Sequence, residues 1–232
     1  MISANAVYKQ YVDGETVVNA LRGVSLSVER GEFLSIAGPS GSGKSTLLNI
    51  IGCIDTADSG TIELDGEQVN GWNKKKLADL RRKKLGFVFQ SFNLIPVLTA
   101  YENVALALSL LDLSESEVRE RTMALLAEVG LAGMEDRRPA KLSGGQQQRV
   151  AVARALVKEP LIVLADEPTA NLDSETGEEL LGLMEEMNRR HGTTFVFSTH
   201  DEMVMEHARR LVLLHDGQIT SDRARELAGG RP

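Results

Sequence analysis

Phe33-Leu34-Ser35-Ile36-Ala37 leads directly into Gly38-Pro39-Ser40-Gly41-Ser42-Gly43-Lys44-Ser45-Thr46, and a helical pattern carried by Leu47, Leu48, Ile50 and Ile51 follows at once. Residues 38–45 fit G-x-x-x-x-G-K-[ST], and the apolar run before them and the helix after them supply the context that motif requires. Glycines let the backbone curl so that successive N–H groups point inward at phosphate oxygens, and the helix that opens there adds the positive end of its dipole. Lys44 then reaches the β- and γ-phosphates of a nucleotide. The Ser45 hydroxyl is placed to ligate Mg²⁺, a hard cation that prefers oxygen. Gly38, Pro39, Ser40, Gly41, Ser42, Gly43, Lys44, Ser45 and Thr46 are therefore candidate ATP-binding residues.

Outward from this loop the pattern alternates between sheet and helix. Upstream, Val24, Leu26 and Val28 alternate with polar residues, and downstream Ile62 and Leu64 do so before the Asp65-Gly66 turn signal, which predicts antiparallel strands. Between residues 100 and 140 the period becomes helical, with Val104, Leu108 and Leu111 on one face and Leu125, Leu126 and Val129 on another. A helix is predicted from Gln146 towards Lys158, where Pro160 breaks it. Residues 161–165 are all apolar, as in a parallel strand buried on both faces. Another helix over about 175–190, a strand over 194–199 and a hairpin from 211–214 through Asp216-Gly217 complete the pattern. The expected fold is α/β: a P-loop NTPase core with a mainly parallel sheet, an N-terminal antiparallel β subdomain and an inserted α-helical subdomain. One domain over 1–232 is expected, with its core at 1–99 and 141–232 and the helical subdomain at 100–140.

Composition narrows the function class. The net charge is -7 and the pI about 5.2, which argues against a protein that grips a phosphate backbone through clustered Lys and Arg. The basic run Lys74-Lys75-Lys76 with Arg81-Arg82-Lys83-Lys84 reads as a solvated helix face. A single cysteine, Cys53, allows no internal disulfide and reads as core filler in a reducing compartment. Residues 1–10 lack an apolar run, so no signal peptide is expected, and no uncharged apolar stretch of about 18 residues could span a bilayer. Any membrane role is then expected to be peripheral.

A second chemical site ends the apolar run 161–165 in Asp166-Glu167. Consecutive strand residues face opposite ways, so Asp166 suits the metal's coordination sphere while Glu167 suits a water attacking the γ-phosphate. Leu142-Ser143-Gly144-Gly145-Gln146 follows the helical stretch, and it resembles the signature of the ATP-binding-cassette (ABC) ATPases. Ser143 and the Gly144-Gly145 amides at a helix start form a second anion site. Two such sites fill around one ATP only when a second copy supplies the other half.

The resemblance runs from Tyr11 past His200 and implies further roles. Gln90 is similar to the glutamine that ligates Mg²⁺ while its loop senses the partner. His200 matches the switch histidine on the γ-phosphate, and Asn171-Leu172-Asp173 the loop that crosses between subunits; the family more often has Ser-Ala where this chain has Ala170-Asn171. Tyr11, with Tyr8 as the weaker candidate, takes the place of the ring that stacks on adenine. The implied catalytic residues are Glu167, His200, Lys44 and Gln90, and the metal ligands Ser45, Gln90 and Asp166. Ser143, Gly144, Gly145, Gln146 and Asp173 are implied to reach the nucleotide in trans.

Ile51-Gly52-Cys53-Ile54-Asp55, 92–96, 98–100, 102–104 and Asn171-Leu172-Asp173 look like the branch serving macrolide export, lipoprotein release and cell division. That branch implies an ATP-hydrolysing subunit with ATP and Mg²⁺ as cofactors. It also implies a head-to-tail homodimer, transmembrane permease partners and a peripheral place on the cytoplasmic face of the plasma membrane. No nucleic acid is expected. A DNA- or ribosome-acting ABC ATPase is the alternative, which salt-sensitive stimulation by nucleic acid would reveal. A non-hydrolysing, ATP-gated assembly module is a further rival, separated by phosphate release.

Overall fold

The computed structural model describes residues 1–14 and 16–225. In chain order its elements are β1 (Ile2–Asp13), β2 (Thr16–Val28), β3 (Phe33–Ala37), α1 (Lys44–Ile51), β4 (Ser59–Leu64), β5 (Glu67–Gln68), α2 (Lys74–Lys84), β6 (Leu85–Phe89), α3 (Ala100–Ala105), α4 (Glu115–Glu128), α5 (Gly144–Leu156), β7 (Ile162–Asp166), α6 (Ser174–His191), β8 (Thr194–Thr199), α7 (Glu202–His207), β9 (Arg210–His215) and β10 (Gln218–Ala224). They group into two compact units, Met1–Arg81 with Thr194–Pro232, and Arg82–Thr193.

The first unit holds an antiparallel sheet of order β2-β1-β4-β5. Val24, Leu26 and Val28 are buried and alternate with exposed residues along β2, as the sequence pattern predicts. β1 bulges between Ala4 and Val7, where Ala6 takes a left-handed φ of 47°. Gly60 accommodates that bulge, because a Cβ there would lie 2.3 Å from the Ala6 carbonyl oxygen. β3 pairs in parallel with both β8 and β9, and β10 turns back antiparallel on β9. β3 is buried throughout, and Phe33 packs on Phe195 and Phe197 with ring centroids 5.6 and 4.7 Å apart. Burying each such ring contributes about 2–3 kcal/mol.

Arg210 ties this unit together. Its guanidinium donates to both Glu32 carboxylate oxygens at 3.1 Å, to both Asp222 oxygens at 2.7 and 2.8 Å and to the Ser27 carbonyl at 2.9 Å. The bond from Arg210 holds the Asp222 carboxyl below the usual carboxylate range, against the opposing pull of burial. A depressed carboxylate contributes stability that is fully present above its unfolded pKa, near 4, and is lost as pH falls through the folded value. Because Asp222 is partly solvated, Arg210→Met should cost about 1–2 kcal/mol in urea denaturation at pH 7. The gap to the parent should narrow below pH 4.

The basic run lies on α2, where Leu77 and Leu80 are buried and Lys76 sits 3.3 Å over the Trp72 ring. Cys53 is buried, and that burial pushes its thiol up to about 11, so it is unreactive near neutral pH.

In the second unit β6 and β7 run parallel, with Phe89 beside Asp166. Gly86 lets α5 lie against β6, since a Cβ would sit 2.6 Å from the Ala155 carbonyl oxygen. α3 and α4 both open on capping boxes, Thr99 with Glu102 and Ser114 with Glu117. The helical period through Val104, Leu108 and Leu111 outlasts the helix, for α3 ends at Ala105 and turns follow. Those turns carry i to i-3 bonds such as Leu108 N–H to Ala105 and Leu111 N–H to Leu108. Such turns keep side chains three and four apart on one face, so periodicity cannot tell them from a helix. Val104 and Leu108 are fully buried all the same. α5 ends at Leu156, two residues before Lys158, and α6 stops where Gly192 takes a φ of 65°. No helix among the described residues is long and apolar enough to cross a membrane.

Candidate functional site

Each unit presents chemistry at the carboxyl ends of a parallel strand pair. In the first unit Ala37 pairs with Thr199, so loop 38–43 and His200 leave β3 and β8 side by side. Sterics demand glycine twice in that loop: a Cβ on Gly38 would lie 2.0 Å from the Leu214 carbonyl oxygen, and one on Gly43 would lie 2.4 Å from that of Ala20. Gly43, at a φ of 101°, precedes α1 without offering a side-chain cap, and α1 has no acid in its first turn. By contrast Thr99, Ser114, Ser143, Asp173 and Asp201 each cap α3 to α7 with an oxygen. A helix start with no side-chain cap and no acid in its first turn suits an external anion.

Lys44 is buried and folds over the loop, its Nζ donating to the carbonyls of Gly38 at 2.8 Å and Pro39 at 2.9 Å. The buried Ser42 Oγ has no hydrogen-bond partner among the described residues. An uncapped helix start, a hydroxyl orphaned among the described residues and a cation donating to neutral carbonyls fit phosphate oxygens.

Tyr11 projects half-exposed from β1, and its hydroxyl donates to Asp55 Oδ2 at 2.7 Å and also hydrogen-bonds Thr46. Asp55 Oδ1 accepts from Lys9 Nζ at 3.1 Å and from the Thr56 N–H at 2.7 Å. Burial raises the Asp55 carboxyl, but the bonds from Tyr11, Thr56 and Lys9 outweigh it and leave the group below the usual range. Lys9, Asp55 and Asp58, whose Oδ1 lies 3.5 Å from Lys9 Nζ, escaped sequence reasoning as parts of this cluster. Lys9 lies two residues before Tyr11 on one strand, the spacing that puts side chains on one face, and that was the available signal. Tyr8 packs over Gly23 instead.

In the second unit the β6–β7 register sets Gln90 and Glu167 next to each other beyond Phe89 and Asp166. Glu167 takes a φ of 48°, rare for a residue with a Cβ, which turns the chain sharply at the end of β7. Gln90 is exposed, and Asp166 and Glu167 are half-buried. Among the described residues no cluster of three His, Cys, Asp or Glu could hold a metal by itself. Ser45 in the first unit, and Gln90 and Asp166 in the second, each carry a side-chain oxygen, the donor type a hard cation prefers.

Ser143 caps α5: its Oγ accepts from the Gln146 N–H at 3.2 Å, and Gln146 Oε1 accepts from the Ser143 N–H at 3.0 Å. The Gln146 carbonyl is therefore engaged locally, while the Ser143 O–H remains a donor. Gly145 is required by packing, since a Cβ would come 2.3 Å from Thr176 Cγ2. Gly144 is not, since its Cβ would meet nothing nearer than 3.5 Å. A glycine that packing does not demand suits close approach by a ligand. Asp173 caps α6, accepting from the Thr176 N–H at 2.9 Å and hydroxyl at 2.8 Å, and these bonds lower its carboxyl pKa.

The model of the ABC transporter family matches residues 21–170, a span that takes in the loop 38–46, Gln90, the 142–146 signature and Asp166-Glu167. The chain is 46% identical over 233 residues to an uncharacterized ABC transporter ATP-binding protein of Methanocaldococcus jannaschii, MJ0796, covering 99% of this chain and 98% of that one. It is 45% identical over 222 residues to the macrolide export ATP-binding/permease protein MacB of Mannheimia succiniciproducens, covering 96% of this chain but 34% of that relative. The chain thus spans about a third of the length of the MacB proteins it matches. Its fold superposes with a TM-score of 0.89 on a dimeric post-hydrolysis structure of MJ0796 bound to ADP and Pi, at 45% identity and covering 99% of this chain and 100% of that one. A family match over more than half of its length, together with a relative similar from end to end, means that the chain belongs to the ABC transporter family, as an ATPase cassette.

Proposed function

We propose that the chain is the ATP-hydrolysing subunit of an ABC transporter, working as a head-to-tail pair of copies on separate membrane subunits. The observation that carries the reading is the pair of glycine-lined helix starts, α1 behind Gly43 and α5 behind Ser143, each offering donors to a phosphate. One γ-phosphate between two copies uses both. In this reading Ser45, Gln90 and Asp166 hold Mg²⁺, which supplies charge neutralisation across the β- and γ-phosphates when bound. Glu167 orients the attacking water, Lys44 and His200 stabilise charge developing on the γ-phosphate, and Tyr11 stacks on adenine. Ser143, Gly144, Gly145, Gln146 and Asp173 act in trans. Support comes from MJ0796, whose cassette is dimeric and was captured with ADP and Pi. In the same reading residues 100–140 form the helical subdomain, with the core at 1–99 and 141–232; residues 15 and 226–232 of that span lie outside the described ones.

The membrane partner docks on the segment after Gln90, at the cytoplasmic face of the membrane. Asn103 pins this segment: its buried amide donates to the carbonyls of Ile95, Leu98 and Thr99 and accepts from the Ile95 N–H. That leaves Val97 71% and Ile95 38% exposed, apolar surface suited to a partner. Macrolide-export relatives favour an export or extraction system, and selectivity for the cargo rests with the membrane subunits. Leu94→Glu should reduce ATPase stimulation by the co-purified membrane protein about tenfold. Turnover by the isolated subunit should stay at the parental rate. Undiminished stimulation would move the docking surface elsewhere.

A further inference from the structure

Beyond β6 the backbone of residues 89–93 is gripped from outside. The Phe89 carbonyl accepts from Gln148 Nε2 at 3.4 Å and the Gln90 carbonyl from Asn171 Nδ2 at 2.9 Å. Both remaining grips come from Arg154, whose Nη2 donates to the Phe92 carbonyl at 2.7 Å and whose Nη1 donates to that of Asn93 at 2.5 Å. Phe92 and Asn93 are consecutive residues in the left-handed region, at φ 58° and 50°. Side chains with a Cβ rarely sit there unless their surroundings hold them. A charged, two-pronged donor on adjacent carbonyls provides such a hold. Gln148 also donates to the Pro168 carbonyl at 2.7 Å, one residue after Glu167, and it is fully buried.

These bonds join three segments of one unit. Gln148 and Arg154 belong to α5, the helix that Ser143 opens, and Asn171 belongs to the loop between Glu167 and Asp173. Free of these donors, the two-residue left-handed turn would lose the bonds that hold its carbonyls.

We propose that Asn171, Gln148 and Arg154 are positioning residues that hold the Gln90 main chain in the register its side chain needs to reach Mg²⁺, and that they bind this register to α5 and to the Glu167 loop. Asn171 stands where the resembling family more often has Ala and belongs to the residues that mark the branch, so the tie goes with that branch rather than with the family at large. The proposal rests on the reading of Gln90 as a metal ligand. Asn171 then acts one shell outside the metal, through Gln90.

Binding of Mn²⁺ as a spectroscopic stand-in, followed by electron paramagnetic resonance with saturating ATP, tests this in full-length protein carrying Glu167→Gln to block turnover. Asn171→Ala should weaken Mn²⁺ about tenfold, as loss of an outer-shell partner does. ATP affinity in EDTA should not change, and backbone hydrogen exchange over 90–98 should rise. Arg154→Lys, which keeps the charge but not the fork, should raise exchange at 92–94. Gln90→Ala should weaken Mn²⁺ at least as much, and Asn171→Ala should add nothing in that background. Full Mn²⁺ affinity in Asn171→Ala beside a weakened Gln90→Ala would overturn the tie alone, as would additive losses. Full affinity in Gln90→Ala would overturn the metal reading of Gln90 and the tie with it.

Discussion

Glu167→Gln is expected to slow phosphate release by about 10²- to 10⁴-fold, the range for loss of a catalytic base, while ATP still binds. Size-exclusion chromatography with ATP and Mg²⁺ should then show a dimer where the parent, turning over, returns to monomer. The substitution is nearly isosteric, so the left-handed turn at residue 167 and the β6–β7 register beside it persist. On the proposed reading only the charge that draws a proton from water is removed. Lys44, the start of α1 and the Ser143 donor would then keep their hold on the phosphates, and hydrolysis would no longer dissolve a contact that includes the nucleotide. A variant that hydrolyses ATP at the parental rate would take Glu167 out of the mechanism. One that is inactive yet stays monomeric with ATP would leave the base in place and remove the nucleotide-closed dimer.

Mixing two dead variants should restore activity. Lys44→Ala removes the cation folded over the loop 38–43, and on the proposed reading Gly144→Asp sets a carboxylate against the γ-phosphate at the start of α5. The second change should leave the fold intact: a Cβ at residue 144 meets only ordinary contacts, and an acid in the first helical turn is favourable to the dipole. In a head-to-tail heterodimer one pocket combines both lesions and the other has neither. A one-to-one mixture should therefore recover about a quarter of parental ATPase, since half the dimers are mixed and each keeps one of two pockets. Circular dichroism of Gly144→Asp checks its folding. An inactive mixture of two folded variants would contradict pockets shared between copies, as would a Gly144→Asp protein that is fully active alone.

The features legible before the structure are those whose cause is local. The loop 38–46 could be read because its backbone path depends on glycines within the loop and on the strand and helix that flank it. The capping box at Ser143 and Gln146 has a sequence signature spaced three residues apart, as does the Asp173 cap at Thr176. It went unread because the same residues also suggested contact with a nucleotide. The β3 and β7 runs declared themselves by composition, since strands buried on both faces tolerate little but apolar side chains. The end of α3 was invisible, because tighter turns preserve the face that the period reports.

The amino-acid sequence by itself determined the α/β order, the phosphate loop, the paired acids after β7 and the signature at α5, because each follows from spacing along a few residues. Only the tertiary structure decided that Asp55 and Lys9 anchor Tyr11, that Arg210 joins Glu32 to Asp222, and that Asn171, Gln148 and Arg154 hold residues 89–93. Nearly all those partners lie tens of residues apart or more, and hydrogen bonds between side chains and distant carbonyls obey no period. They exist only once packing has brought the segments within about 3 Å.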